Sequence, residues 1–327
     1  MEKRYKWGIL APGKMAGKFT NALKHLDNAE LYAVGSRDLR RAEKFAADNG
    51  FRKFYGSYRE LAEDPGVDIV YIASPHSHHR EQAILCMKNG KAVLCEKAFA
   101  INEREVEEMI SEASRNKVFL MEALWPPFQP FYRKASEILE SGIVGRLLHM
   151  ECFFSFNPPF HPDDRKFNPE LGGGSLLDIG IYPVIDALTF AGVPDGIKAY
   201  ASFGKTGAEE SVSAIFRYND GRMASIYSSF RTNAGIGCVI LCERGRISLS
   251  RGRDMNQTVI LEPDDMEKET YVFNPPAMGY HWEAGEVMRC LDDGLTESPV
   301  VPLSFSRNLI RTLDRIRHDA GIRLPQD

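Results

Sequence analysis

The chain has 327 residues, 43% of them hydrophobic and 26% charged, with a net charge of −4. That length exceeds one ordinary core and implies two domains, and the composition is that of a globular protein. The acidic balance gives no footing for nucleic acid or an anionic membrane as partner, and no apolar run approaches membrane-spanning length. The first residues, Met1 to Lys6, lack the apolar core of a signal peptide. Cys86, Cys95, Cys152, Cys238, Cys242 and Cys290 lie scattered, with no C-x-x-C pair. They read as reduced thiols of a cytoplasmic protein. Cys238 and Cys242 lack the companions that zinc needs, so no metal is expected.

Lys6 to Ala11 has the composition of a strand, and the turn Ala11-x-Gly13-x-x-Ala16 opens a helix running to Lys24. This is the glycine-rich dinucleotide turn with its first glycine replaced. Gly13 lets the backbone approach a pyrophosphate, and Ala16 permits close packing of helix on strand. Lys14 and Met15 begin the helix whose amides would face the phosphates. A plain strand-to-helix turn also needs small residues, so the context has to decide. A second strand, Glu30 to Gly35, ends about twenty residues later, where this unit reads the ribose. Ser36 and Arg37 stand there, a hydroxyl and a guanidinium that suit a 2′-phosphate and favour NADP over NAD. Asp38 is the rival ribose ligand, but it sits better as the N-cap of a helix from Leu39 to Asn49.

The alternation continues through a short strand at Lys53-Phe54, a helix from Ser57 to Glu63 and an apolar strand from Val67 to Ala73. The loop Ser74-Pro75-His76-Ser77-His78-His79 follows, then a helix to Lys88. His78 and His79 point apart at a helix start and no carboxylate cluster joins them, so the loop reads as cofactor lining rather than a metal site. Ser74, Pro75, His76 and His79 are its candidate contacts. The next strand, Ala92 to Cys95, stops at Glu96-Lys97. An acid and a base are thereby delivered to the carboxyl edge of a parallel sheet, where open α/β sheets bind ligands. A helix from Asn102 to Asn116 and a strand from Val118 to Glu122 complete a doubly wound domain spanning residues 1–122.

Trp125-Pro126-Pro127 breaks the pattern and marks a second domain, residues 123–327. A helix to Ser141, a strand from Arg146 to Phe156 and a polar loop from Asn157 to Glu170 lead to Gly172-Gly173-Gly174. An apolar helix follows, on which Asp178, Tyr182 and Asp186 recur every fourth residue and share one face. Polar groups on such a stripe need partners if buried, so an internal network competes with a site. The period then switches to two. Ser211 to Tyr218 and Arg222 to Phe230 flank Asn219-Asp220-Gly221 as a hairpin. Cys238 to Glu243, Arg246 to Ser250, Thr258 to Glu262 and Glu269 to Phe273 extend a largely antiparallel sheet. Helices from Tyr280 to Asp292 and from Ser304 to Ala320 close the chain. Helices on one face of that sheet leave the other to a second copy, so a homodimer or homotetramer is expected.

The Ala11-x-Gly13-x-x-Ala16 turn, Ser74 to His79, Cys95-Glu96-Lys97 and Gly172 to Asp186 occur in this order. Together they resemble the glucose–fructose oxidoreductase / inositol dehydrogenase / MocA family over essentially the full length. Within it the chain is most similar to the dimeric dihydrodiol dehydrogenase and xylose dehydrogenase branch, because Tyr182 stands where inositol dehydrogenases carry histidine. The resemblance implies a Rossmann doubly wound parallel sheet followed by an α+β domain with a large, mostly antiparallel, open-faced sheet. It places Glu96-Lys97 beside a nicotinamide, with Asp178 and Tyr182 projecting into the cleft opposite. The implied activity is NADP-dependent hydride transfer, with NAD possible, at a secondary alcohol or carbonyl of a sugar, sugar derivative or cyclic diol. Tyr182 would be the acid/base, Lys97 the cation that favours its phenolate, and Asp178 the residue that fixes Lys97 or a substrate hydroxyl. Trp125, Phe154 and Arg165 are candidate substrate contacts. Two departures stand out: Glu96-Lys97-Ala98 replaces the usual Glu-Lys-Pro, and Trp125-Pro126-Pro127 replaces a common Trp-x-Arg. A non-catalytic NAD(P)-binding regulator and a glycoside-cleaving enzyme with tightly held NAD are the alternatives on the same scaffold.

Overall fold

The computed structural model describes residues 3–251 and 256–327. Six strands form the first sheet: β1 (Tyr5–Leu10), β2 (Ala29–Gly35), β3 (Lys53–Tyr55), β4 (Ile69–Ile72), β5 (Ala92–Glu96) and β6 (Leu120–Ala123). Their order is β3-β2-β1-β4-β5-β6, with every neighbouring pair parallel. The central strands are covered on both faces, which is why Ile69-Val70-Tyr71-Ile72 reads as an unbroken apolar run. Helices α1 (Lys14–Leu23), α2 (Leu39–Asn49), α3 (Tyr58–Glu63), α4 (His79–Lys88) and α5 (Glu103–Asn116) connect them. Short polar side chains start three of these helices. Asp38 accepts from the Arg40 and Arg41 amides, Ser57 from that of Glu60 and Asn102 from that of Glu105. The order reverses between β1 and β4, and the crevice at their carboxyl ends is the ligand position of such sheets.

The first compact unit comprises Met1–Phe128 together with Pro276–Arg307, and the second comprises Gln129–Pro275 with Asn308–Asp327. This differs from the division at residue 122, which assigned everything beyond it to one domain. The helix α8 (Tyr280–Asp292) returns to the first unit because it buries Tyr280, Ala284, Val287 and Met288 there. The Tyr5 hydroxyl donates to Asp292 at 2.7 Å, and the Leu120 amide donates to the Thr296 carbonyl at 3.1 Å.

In the second unit, α6 (Pro130–Glu140) precedes β7 (Leu147–Ser155), and α7 (Ile181–Ala191) precedes β8 (Gly196–Phe203). The strands β9 (Glu209–Arg217), β10 (Met223–Ser229), β11 (Gly235–Cys242), β12 (Gly245–Arg251), β13 (Gln257–Pro263) and β14 (Glu269–Phe273) follow. The sheet order is β14-β13-β12-β11-β7-β10-β9-β8, antiparallel throughout except where β10 runs parallel to β7. Along β9 the alternation is plain: Val212, Ala214 and Phe216 are buried, Ser213, Ile215 and Arg217 are not. Helices α6 and α7 pack on the inner face. The edge strand β8 escapes sequence reading because only one of its residues is buried, which leaves no apolar rhythm. The last helix, α9 (Leu303–Asp319), begins in the first unit and ends in the second.

One helical stretch, Pro169–Ala191, does reach membrane-spanning length and a mean hydropathy of 1.3, against the reading that no run comes close. Of its most apolar 18-residue window, 89% is buried inside the protein. Its apolar character serves the core.

Candidate active site

In the first unit the dinucleotide turn has the geometry a phosphate needs. Ala11 has φ +66°, the left-handed conformation that costs an L-residue about 1–2 kcal/mol, at the position where the fingerprint usually has glycine. Gly13 is the N-cap of α1, and no side chain caps that helix. A Cβ on Gly13 would meet nothing closer than 3.9 Å, so the space before the helix amides is open. Lys14, Met15 and Ala16 supply those amides, and Ala16 is fully buried against the sheet. An N-terminus of this kind attracts a pyrophosphate through its N–H groups and its dipole. These residues fit a bound dinucleotide.

At the end of β2, Ser36 is buried and its hydroxyl accepts from the Asp38 amide at 3.2 Å. Arg37 is exposed. Asp38 caps α2 through its side chain. Arg41 of the same helix donates to the Pro12 carbonyl from Nε at 3.2 Å and from Nη2 at 2.9 Å. That arginine lies in the first turn of α2, outside the motifs read from the sequence.

The loop after β4 is tied to the loop after β5. The Ser74 hydroxyl donates to Gln82 at 2.6 Å, and the His79 ring faces the Ser74 carbonyl from Nε2 and the Ala98 carbonyl from Nδ1, both at 2.8 Å. His79 is completely buried. Burial pushes its pKa down to about 4, so at neutral pH the ring carries one N–H, which donates to one of these carbonyls. Both ring nitrogens thus face the protein's own backbone. His79 is a strut between two loops. His76 stacks edge-on against it at 5.8 Å, and Pro75 is half-buried beside them.

Glu96 and Lys97 end β5 half-buried. The Tyr71 hydroxyl of β4 donates to the Glu96 carboxylate. Burial, then the charges of Glu96 and Glu283, hold the Tyr71 phenol well above its ordinary range. Glu283 of α8 is 1% exposed, and neither of its carboxyl oxygens has a hydrogen-bond partner among the described residues. Burial first and the Glu96 charge second raise its pKa well above the ordinary value. Trp125 is buried and packs edge-on against Tyr280, 5.9 Å between ring centres.

In the second unit the glycine run makes room for the chain itself. A Cβ on Gly173 would come within 2.6 Å of the Arg165 and Asn168 carbonyl oxygens. Gly174 has φ +140° and is overlaid by the Glu209 carboxylate, which accepts from the Leu176 amide at 3.0 Å. The next five residues, Leu176–Gly180, form a π-helical turn before α7 begins. Asp178 lies in that wider turn and Tyr182 in the first turn of α7, so the regular four-residue stripe drawn from spacing does not run unbroken through all three residues. Asp178 is buried and pairs with Arg165, Nη1 to Oδ1 at 2.8 Å.

Tyr182 is half-buried, with the Phe154 ring 5.7 Å away and the Arg251 guanidinium 5.7 Å from its own ring centre. Arg251 ends β12 and pairs with Asp186 at 3.3 Å, while the Tyr132 hydroxyl donates to the same carboxylate. Asp186 therefore belongs to an internal network, the bland reading of that stripe, and the network's arginine reaches the face of Tyr182. Cys152 and Cys238, directly paired across β7 and β11, place their sulfurs 3.5 Å apart beside this carboxylate. The carboxylate's positive partner there is Arg251.

With the geometry in view, comparison with known proteins decides the lineage. The family described as "Oxidoreductase family, NAD-binding Rossmann fold" matches residues 5–124, and the "GFO/IDH/MocA C-terminal domain" matches residues 132–248. The chain belongs to the GFO/IDH/MocA family. It is an oxidoreductase with an NAD(P)-binding domain. Family relatives include the mouse (Mus musculus) trans-1,2-dihydrobenzene-1,2-diol dehydrogenase, 36% identical over 98% of both chains. Among solved structures, the fold matches a 3-ketoreductase from Actinomadura kijaniata, solved with NADP and TDP-benzene, at TM-score 0.87 and 22% identity, covering 97% of this chain and 98% of that one. It also matches an aldose–aldose oxidoreductase from Caulobacter crescentus at TM-score 0.89 and 20% identity, over 98% of both chains. Sequence reading missed Arg41, Tyr71, Glu283 and Arg251 as members of these clusters.

Proposed function

We propose that this chain is an NADP-dependent dehydrogenase acting on a secondary alcohol of a cyclic diol or a sugar, with Tyr182 as acid/base and Lys97 assisting. The observation that carries this reading is the 36% identity with a diol dehydrogenase over 98% of both chains. The nicotinamide, when bound, takes or gives the hydride at the substrate carbon. In oxidation Tyr182 accepts the hydroxyl proton, and in reduction it returns a proton to the forming alkoxide. The Lys97 ammonium supplies positive charge where that oxygen becomes negative. Asp178, steadied by Arg165, is an acceptor suited to a neighbouring substrate hydroxyl, and the rings of Trp125 and Phe154 suit an apolar ring face. Arg37 and Arg41 support a 2′-phosphate over a free ribose hydroxyl.

The test is to incubate the protein with NADP or NAD and a panel of trans-dihydrodiols and aldoses, following the absorbance of reduced cofactor. NADP with at least one member should give sustained reduction, faster than NAD does. No reduction with either class of alcohol sinks the enzymatic reading, and faster turnover with NAD sinks the cofactor preference alone. Cofactor that stays bound and is never consumed would favour glycoside cleavage.

The outer face of the second sheet supports self-association. Tyr200 is 81% exposed, Val272 58%, Ile215 46% and Met223 46%, all on strands of one sheet. We propose that a second copy covers this face. Sedimentation should find dimers or tetramers that Ile215→Glu weakens. Monomers at micromolar wild-type concentration would refute it.

A further inference from the structure

Beneath Lys97 lies a buried acid to which nothing so far gives a role. The segment after β5 is sealed from solvent: Ala98, Phe99, Ala100 and Ile101 are each exposed by 1% or less. Backbone amides in such a place must find partners within the protein. Ala98 stands where the family has proline, so no pyrrolidine ring limits the chain just after the lysine. Neighbours must hold it instead. The His79 ring takes the Ala98 carbonyl side, and the Glu122 carboxyl takes the next amide, accepting from Phe99 N–H at 2.9 Å. Glu122 can reach because its strand runs parallel to β5, with Glu122 paired to Cys95. It is 2% exposed.

We propose that Glu122 is a positioning residue for Lys97, anchoring from below the backbone that carries the lysine. This rests on the reading of Lys97 as the cation of the reaction. Other groups around the carboxyl fit the role. Glu96 and Lys97 face it from the end of β5, the Cys95 thiol from within that strand, and the Ser306 hydroxyl from α9. Burial is the largest influence on its proton and pushes its pKa from the ordinary 4.5 to about 8, with Glu96 adding to the rise and Lys97 opposing it. At neutral pH Glu122 is therefore mostly a neutral acid that leaves the Lys97 charge available. Above about pH 8 it becomes a second carboxylate that draws the Lys97 ammonium toward itself and repels Glu96.

The test uses the full enzyme with NADP and whichever diol or aldose it oxidises, comparing Glu122→Gln, Glu122→Leu and Lys97→Met. Glutamine keeps an acceptor oxygen for Phe99 but cannot ionise, whereas leucine removes both. Glu122→Leu is expected to lower kcat by about ten- to a hundredfold, the usual cost of a small misplacement, with the NADP Kd nearly unchanged. Glu122→Gln should restore kcat at neutral pH. Its kcat relative to wild type should then rise up to about tenfold between pH 7 and pH 9, as the wild-type acid ionises and the amide does not. Wild-type kcat in Glu122→Leu alongside an inactive Lys97→Met overturns the proposal. So does a glutamine-to-wild-type ratio that stays flat with pH, which decides the matter if the leucine variant does not fold. Full activity in Lys97→Met overturns the reading of the lysine instead.

Discussion

Tyr182→Phe and Lys97→Met should each lower kcat by about two to four orders of magnitude, the usual contribution of a positioned proton-transfer group. Each change is conservative enough to isolate one atom's work. Phenylalanine keeps the ring that packs against Phe154 at 5.7 Å and receives the Arg251 guanidinium on its face, so only the hydroxyl is lost. Methionine keeps most of the lysine stem and removes the charge. Since neither residue lies at the glycine turn or beside Arg37, titration with NADP should give a Kd within a few-fold of wild type. If the two groups act on one proton, the double variant should be scarcely slower than either single one, because residues that work as a unit are not additive. Either variant turning over within threefold of wild type would strip that residue of its role. Losses that multiply would mean two separate functions.

The parts of this molecule that could be read without coordinates are those whose cause is local. Strands buried on both faces announce themselves as apolar runs, so Ile69–Ile72 and Ala92–Glu96 were legible, and so was the acid–base pair at the end of the latter. Asp38 declared its helix start by chemistry alone. What stayed hidden depends on the chain meeting itself far along its length. Glu283 neighbours Glu96 only because α8 returns to the first unit, a choice no window of sequence contains. Arg251 sits sixty-five positions from Asp186, and its exposed-looking charge is in fact buried. The π-helical turn at Leu176–Gly180 is invisible for a different reason. It shifts the phase of side chains without changing their composition, so a four-residue rhythm looks intact in sequence while the backbone has slipped.

Arg251→Met should destabilise the protein by about 3–5 kcal/mol at neutral pH, the cost of leaving a buried acid without its cation. The side chains of Arg251 and Asp186 are 6% and 1% exposed, so water cannot replace the lost partner. The guanidinium also lies 5.5 Å from the Phe131 ring centre and 5.8 Å from that of Tyr132, packing that methionine only partly restores. Asp186→Asn should cost less, because it removes the charge that needed neutralising. The double variant should then recover part of the Arg251→Met loss, and denaturant midpoints of all four proteins give the coupling directly. The pH dependence has a definite sign. Burial, opposed by Arg251, raises the Asp186 pKa from 3.8 to about 6, so between those values the native state keeps a proton that the unfolded chain has released. Stability due to this group therefore falls as pH rises through that window and levels off above it, and Asp186→Asn should flatten the slope. A loss under about 1 kcal/mol in Arg251→Met, within the range of an exposed pair, would show that this arginine is not the group that neutralises Asp186. A stable Arg251→Met protein with reduced kcat would assign the arginine instead to orienting Tyr182, since it touches that ring and the acid from the same guanidinium.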